Sequence, residues 1–396
     1  MKLHTILNEK TYSLKNLLSK LSPTSLANFR TLDAIFSKEG FTIRIVGGTP
    51  RDIVQGIAPK DIDMASDARP EQMMSLLDKV GIRHEPTGLE HGTITVILDG
   101  EPIEITTLRI DTDQDGRHAT VQFTNDWRKD AERRDLTFNA MSMEMDGTLH
   151  DYFDGVEDIN NGIARFVGDA DARLQEDFLR ILRYFRFQGR LNSPSWDAAT
   201  MDAVERNAGG LEGISGERIW AEMEKILSQP SRVDVLRRMN KTDVLDGIDM
   251  PVNRIGMVKG VSGMDPVVAL SAALNTQGGL DTLRRRWKFS NEVHAKLTFI
   301  LAHRHKPMDE TLAQRMLADP KMKTAHVMAL LEAMGKGVLA DKMRQWTPPE
   351  FPVNGSDLLA AGVPSGPAMG RQLAQLRDAW EQSGFELDKA ELLKEL

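Results

Sequence analysis

Strand-like sequence ends near residue 150, and that division constrains the fold more than any other feature of the chain. Before it, FTIRIV, IDMA, TITVIL, PIEITTL, ATVQF and SMEM are short runs, several rich in β-branched residues, separated by turn-forming stretches such as LDGEP. After it, LQEDFLRILRYFRFQGRL, GERIWAEMEKIL and PMDETLAQRMLAD place apolar residues three and four apart, the period of an amphipathic helix. Strands segregated from helices predict an α+β chain with a strand-containing N-terminal domain and an all-helical remainder. Ser22 followed by Pro23 reads as an N-cap with proline at the first helical position, which starts a helix in the N-terminal extension. There is no fixed-period repeat or low-complexity tract, and QWTPPEFPVNGS reads as a connection between helices.

Composition narrows the function classes. A chain of 396 residues, 41% of them hydrophobic, is long enough for two or more domains with real cores. It contains no cysteine, so neither a disulfide framework nor a thiolate metal site is available. No apolar run reaches membrane-spanning length, and the first twenty residues lack the apolar core of a secretory signal, so the expectation is a soluble, cytoplasmic protein. A net charge of −8 argues against a broadly basic nucleic-acid surface. Basic residues nevertheless cluster in LRRRWKF, HRHK and RILRYFRFQGR, each of which alone reads as a solvated helix face.

The stretch GGTPRDIVQGIAPKDIDMA, residues 47–65, follows the strand-like FTIRIV. A Gly47-Gly48 turn ahead of a helix lets backbone N–H groups approach an anion, Pro50 suits a first helical turn, and Arg51 can reach phosphate oxygens. Asp61 and Asp63 alternate on a strand, which puts both carboxylates on one face, the arrangement a pair of hard cations requires. Glu104 in PIEITTLR is a third carboxylate on a neighbouring strand, opposite in face to Ile103 and Ile105. Each element alone is commonplace: Asp-x-Asp and Gly-Gly turns are usually structural, and Glu104 by itself reads as a solvent-facing strand residue. Their order, glycines for phosphate and then carboxylates for metal, points to nucleotidyl transfer.

From these motifs through EHGTITVILDGEPIEITTLRIDTDQDGRHATVQFTNDWRKDAERRDLTFNAMSM, DYFDGVEDI and RFVGDADARLQEDFLRILRYFRFQGR, and again in FPVNGSDLLAAGVPSGPAMGRQLAQL, the chain resembles the class II tRNA nucleotidyltransferases. These are the CCA-adding enzymes of a superfamily that also holds the bacterial poly(A) polymerases. Residues from about 230 to 345 share only a helical character with it, and Thr49-Pro50 stands where the family usually has a small residue and valine. The resemblance implies an N-terminal helical extension at 1–40 and a polymerase β-like head with a mixed sheet at 41–150. It further implies a helical neck with base recognition at 151–228 and a helical body and tail binding tRNA at 229–396.

It also implies template-independent addition of CCA to the 3′ end of tRNA from CTP and ATP, with Mg²⁺ as cofactor held by Asp61 and Asp63, Glu104 assisting catalysis, and release of pyrophosphate. Gly48 and Arg51, with Gly47, then bind the triphosphate. In RRD, Arg134 and Asp135 are candidates for the ribose 2′ hydroxyl, against a plain reading as a surface ion pair. In EDFLRILR, Asp177 and Arg180 lie three apart on a predicted helix and become candidates for reading the base, against a plain reading as a helix-face ion pair. A carboxylate and a guanidinium suit the amino group and ring nitrogen of cytosine and adenine, where uracil and guanine present a carbonyl. Arg183 and Arg186 continue the ridge toward the triphosphate or the base.

Other readings stay open at this level. A poly(A) polymerase uses the same head, but its basic GRRF-like segment has no counterpart in EPTGLEHGTITVIL. An inactive RNA-binding relative is disfavoured by the presence of every expected carboxylate. A CC-only or A-only specialist is disfavoured by RIDTDQDGRHATVQFT, which keeps a full loop around Asp115, Gly116 and Arg117. His303 and His305 lack an evident third ligand and read as a solvated helix end.

Overall fold

The computed structural model describes residues 10–13, 21–59, 62–112, 120–251, 254–261, 263–394 and 396. Asp61 and the loop at Asp115, Gly116 and Arg117 lie outside the described residues. Two units are distinguished, one of Met1–Met223 with Asp234–Ile248, the other of Glu224–Val233 with Asp249–Leu396.

The first unit is built on strands β1 (Lys10–Ser13), β2 (Ile43–Val46), β3 (Asp63–Ser66), β4 (His84–Gly88), β5 (Thr93–Leu98), β6 (Glu101–Thr107), β7 (Arg109–Thr112), β8 (Thr120–Phe123), β9 (Ser142–Met143) and β10 (Thr148–Asp151). Eight form one mixed sheet in the order β1-β10-β9-β2-β3-β6-β5-β4, antiparallel except for the parallel pair β3–β6, while β7 and β8 pair separately. The register explains the placement of the carboxylates. Paired residues share a face, and Ile45, Met64, Ile105 and Ile94 are successive partners across four strands, all fully buried. That apolar row is covered by α1 (Pro23–Lys38), through Phe29, Leu32 and Phe36, and by α3 (Pro70–Lys79), through Met73, Leu76 and Leu77. Each such side chain contributes about 1.5–3 kcal/mol of burial. The next row, Val46, Asp63, Glu104 and Thr95, must then face the other way.

Between β2 and β3 lies α2 (Gly48–Val54), entered through Gly47 at φ 72°, a backbone conformation that glycine adopts at little cost. Helix α4 (Trp127–Glu132) is capped by Asp126, which accepts from the Arg128 and Lys129 N–H groups at 3.0 and 3.3 Å. Its Trp127 closes the carboxylate face against Val46, Ala65 and Leu108. Beyond β10 the described residues contain only helices and connections: α5 (Gly155–Asn160), α6 (Ala170–Glu176), α7 (Leu179–Gln188), α8 (Ala198–Asn207), α9 (Gly216–Leu227), α10 (Arg232–Lys241), α11 (Val244–Gly247) and those that follow in the second unit. In that unit one apolar core gathers around Val268, Ile300, Val327 and Leu330, and another around Leu358, Leu376, Trp380 and Leu392. No helix among the described residues is long and apolar enough to cross a membrane.

Three sequence expectations change in detail. The strand-like runs form β2, β3, β5, β6, β8 and β9, but β1, β4, β7 and β10 carried too little apolar alternation to be read; β4, HEPTG, is an edge strand with an irregular register. The N-terminal extension, read as helical, also supplies β1, which pairs with β10; its helix does begin at Ser22, whose Oγ accepts from the Ser25 N–H at 3.0 Å. The run LQEDFLRILRYFRFQ is not one helix. Asp177 is extended at φ −157°, ψ 105°, between α6 and α7. Phe178 there lies directly on Gly210, where a Cβ would stand 2.2 Å from its ring. Asp177 then starts α7 by accepting the Leu179 N–H at 3.1 Å.

Candidate active site

A cleft of about 800 Å³ opens in the first unit, reached by the turn into α2, the end of α4, the Asp177 break, α7 and α9. Its described walls carry nine arginines and four aspartates, in a chain whose net charge is −8. A concave surface of this sign focuses a positive potential suited to a polyanion.

The arginines are held individually. Arg51 donates from Nε and Nη2 to Asp52 Oδ1 at 2.9 and 2.7 Å and from Nη1 to Asn139 Oδ1 at 2.8 Å. Burial draws its pKa down, against the pull of Asp52. Arg51, Arg183 and Arg186 surround one ring, Phe187, with guanidinium carbons 4.7, 5.4 and 4.0 Å from its centroid, inside cation–π range. Arg186 donates to both oxygens of Glu222 at 2.9 and 2.8 Å, and burial lowers its pKa to about 10 despite that partner. Arg133 and Arg134 share Asp130, at 2.9 and 3.2 Å, and Asp130 also accepts the Arg109 N–H at 3.1 Å. Burial opposes ionisation of Asp130, but its arginines outweigh it and hold the pKa below the ordinary carboxylate value.

Asp135 is buried, and Oδ1 accepts from the Leu136 N–H at 2.8 Å and Asn139 Nδ2 at 3.0 Å, while Oδ2 accepts from Arg183 Nε at 2.6 Å. Burial would raise its pKa; Arg183, Asn139 and the backbone donor together hold it below the ordinary value. Asp177 accepts from Arg218 Nη2 at 2.6 Å. Arg180 donates through Nη1 to Glu176 and, at 3.0 Å, to the Arg173 carbonyl, and among the described residues its Nη2 meets only the Arg133 carbonyl, at 3.5 Å.

Gly47, Gly48, Arg51, Asp63, Arg134, Asp135, Asp177, Arg180, Arg183 and Arg186, scattered over 140 residues of sequence (from 47 to 186), therefore line one cleft. Glu104 does not line it; it is exposed beside Asp63, its register partner, on the wall of an adjoining cavity of about 480 Å³. The glycines provide room. A Cβ on Gly47 would stand 3.4 Å from Asp63 Oδ2, and one on Gly48 would stand 3.1 Å from Arg51 Nη2. Neither ion pair read from sequence spacing is formed: Arg134 pairs with Asp130 and Asp135 with Arg183, while Asp177 pairs with Arg218 and Arg180 with Glu176. Strand β3 begins at Asp63, so the shared strand face expected for Asp61 and Asp63 lies partly outside the described residues.

Sequence reasoning missed Arg109, Arg133, Asn139, Phe187, Arg190 and Arg218 in the walls. Arg133 and Arg190 stood inside quoted motifs and could have been included; Arg218, in GERIW, carried no local signal. Among the described residues no three acids or histidines cluster as a metal site. Asp63 and Glu104, side by side in register, nonetheless offer the hard carboxylate oxygens that a divalent cation such as Mg²⁺ takes.

Residues 43–165 match the family model of the poly A polymerase head domain, and residues 196–249 that of the probable RNA and SrmB-binding site of polymerase A. The chain is 42% identical over 386 residues to the mitochondrial CCA tRNA nucleotidyltransferase 1 of Homo sapiens, covering 92% of this chain and 88% of that one. It is 32% identical over 385 residues to the CCA-adding enzyme of Bacillus cytotoxicus, covering 89% and 93%. The crystal structure of the Bacillus stearothermophilus CCA-adding enzyme in complex with CTP superposes with a TM-score of 0.74 at 26% identity, over 94% of this chain and 95% of that one. Kinship that runs through head and helical parts alike, and not through the head alone, means that the chain belongs to the family of CCA-adding tRNA nucleotidyltransferases.

Proposed function

We propose that this protein adds C, C and A in turn to the 3′ end of tRNA, using CTP and ATP, without a nucleic-acid template and with release of pyrophosphate at each step. The observation that carries this reading is the arginine cleft laid against Asp63: a polyanion site next to a carboxylate. The triphosphate lies along the arginines, and the buried carboxylates Asp130, Asp135 and Glu222 fix those arginines in place before substrate arrives.

Asp177 and Arg180 read the base. Both Asp177 oxygens are engaged, but a carboxylate has further lone pairs with which to accept an amino group, and Arg180 Nη2 has only a long contact to give up. A uracil or guanine carbonyl at the amino position leaves two groups unpaired, at about 1–3 kcal/mol each, or rejection of roughly thirty-fold to twenty-thousand-fold. We assign the ribose to Arg134, with Asp135 acting by holding Arg183.

The family normally uses a divalent metal, which we take to be Mg²⁺, held by Asp61 and Asp63 with Glu104 alongside. When bound it supplies charge neutralisation at the phosphorus under attack. The absence of cysteine fits a reducing compartment, and we propose the cytoplasm, which fractionation of source cells checks. The reading is tested by product length: given a tRNA lacking its 3′ end, CTP and ATP, the protein should add three nucleotides and stop. A ladder of added adenosines would instead identify a poly(A) polymerase.

A further inference from the structure

Seven of the nine arginines in the described walls of the cleft are held by carboxylates, and Arg109 donates from Nη1 to the His91 carbonyl at 2.6 Å. Arg190 is the ninth. Its backbone N–H meets the Phe187 carbonyl at 3.0 Å, which fixes its Cα just past the end of α7. Its exposed side chain has no hydrogen-bond or ion-pair partner among the described residues. It also stands near another cation: burial lowers the Arg51 pKa, and the charge of Arg190 lowers it further. Asp52 answers the charge of Arg51, while no described carboxylate answers that of Arg190. An unanswered cation beside a second cation, facing an open cleft, suits an anion that the protein itself does not supply.

Its position shows which anion. Arg180, Arg183, Arg186 and Arg190 follow one ridge at intervals of three and four residues. From Arg180, beside the base-reading Asp177, to Arg190 is ten residues (180 to 190), about 15 Å at the helical rise. The turn into α2 gives the same order. A Cβ on Gly47 would stand 3.4 Å from Asp63 Oδ2 and 3.8 Å from Arg134 Nη1, which puts the phosphate under attack there, beside the ribose. One on Gly48 would stand 3.1 Å from Arg51 Nη2, a step further on. Base, ribose and α-phosphate thus precede Arg51, and Arg190 comes last.

We propose that Arg190 binds the terminal phosphate: its guanidinium closes on the γ-phosphate of CTP or ATP and stays with it in the pyrophosphate that leaves. The proposal rests on the assignment of the cleft to the triphosphate. The held arginines are in place before substrate arrives, whereas Arg190 becomes ordered only against a ligand long enough to reach it.

The test uses the full chain. In Arg190→Gln, CTP should bind about tenfold more weakly, as loss of one charge-assisted contact implies, while affinity for CDP, affinity for tRNA and the melting temperature stay unchanged. KM for CTP and the inhibition constant of inorganic pyrophosphate should rise by the same factor with kcat retained. Arg190→Lys, which keeps a point charge but not the planar fork, should recover part of the loss. Equal weakening of CTP and CDP, weaker tRNA binding with CTP binding intact, or wild-type values throughout would each overturn the proposal, in favour of a general positive field, an RNA contact or a solvated helix end. The unmodified protein supplies a second measurement should the variants fail to fold. Phenylglyoxal, mapped by mass spectrometry, should modify Arg190 ahead of the held arginines, and CTP should protect it where CDP does not. Protection of Arg51 and Arg183 by CTP with Arg190 still reactive would overturn the proposal. A failure of the underlying assignment looks different: CTP would protect no arginine of the cleft.

Discussion

Replacing Asp135 by asparagine separates holding an arginine from reading a ribose. Asparagine keeps the shape and, with its carbonyl oxygen in the Oδ1 position, the bonds from Leu136 N–H and Asn139. Its amide NH₂ then faces Arg183 Nε, so a donor meets a donor where a 2.6 Å charge-assisted bond stood. Such a bond is worth about 1.5–3 kcal/mol. Because the Arg183 side chain is 34% exposed, water takes up part of the loss, and the cost should fall near the lower end, about 1.5–2 kcal/mol. At about 2–4 °C per kcal/mol for a unit of this size, calorimetry should show the first unit melting about 3–8 °C lower. Arg183 would also leave its place at the Phe187 ring, so affinity for both CTP and ATP should fall. The pH dependence has a definite sign. A carboxylate held below its ordinary value of 3.8 contributes stability that is fully present above that pH and lost as pH falls through the folded value, so wild type and variant should converge in acid. An unchanged melting temperature, with only the preference for ribonucleotides over deoxynucleotides reduced, would refute the reasoning and return Asp135 to the ribose.

Further outcomes follow from the same geometry. Asp63→Asn and chelation of divalent cations should each abolish incorporation while tRNA still binds in a filter assay, and Glu104→Gln should slow it substantially; turnover at the wild-type rate in any of the three contradicts the carboxylate assignment. Gly210→Ala should push Phe178 off its seat and move Asp177 with it, relaxing the ratio of CTP to UTP use in single-turnover assays although residue 210 is outside the cleft walls; an unchanged ratio would disconnect Phe178 from base reading. Arg218→Gln should loosen the Asp177 carboxylate and lower the same ratio, with rescue by Arg218→Lys; equal loss for all four nucleotides would make Arg218 a general anion site.

The sequence made the chemistry more legible than the geometry that supports it. Gly47, Arg51 and Asp63 could be read because one strand–turn–helix–strand unit carries them within a few residues. Asp177 and Arg180 were legible as positions but not in their conformation: helical spacing placed them on one ridge, whereas the extended Asp177 ends α6 ahead of Arg180, and the two pair apart, with Arg218 and Glu176. Beside that break Phe178 packs on Gly210, 32 residues away in sequence (178 to 210), a contact which no local pattern records. Asp135 was legible as a site position, but not its burial or its partner, since Arg183 arrives 48 residues later. The edge strands β1 and β4 escaped because a strand exposed on its edge need not alternate.

Under the proposed function protein side chains, and no template strand, choose the nucleotide. That choice is tested most directly by single-nucleotide incorporation into three tRNA transcripts, ending at the discriminator base, after C and after CC, each offered CTP, ATP, UTP and GTP separately. CMP should enter the first two, AMP the third, and UMP and GMP none, with Asp177→Ala and Arg180→Ala admitting the excluded bases. Selection that persists with unchanged ratios in both variants would contradict it.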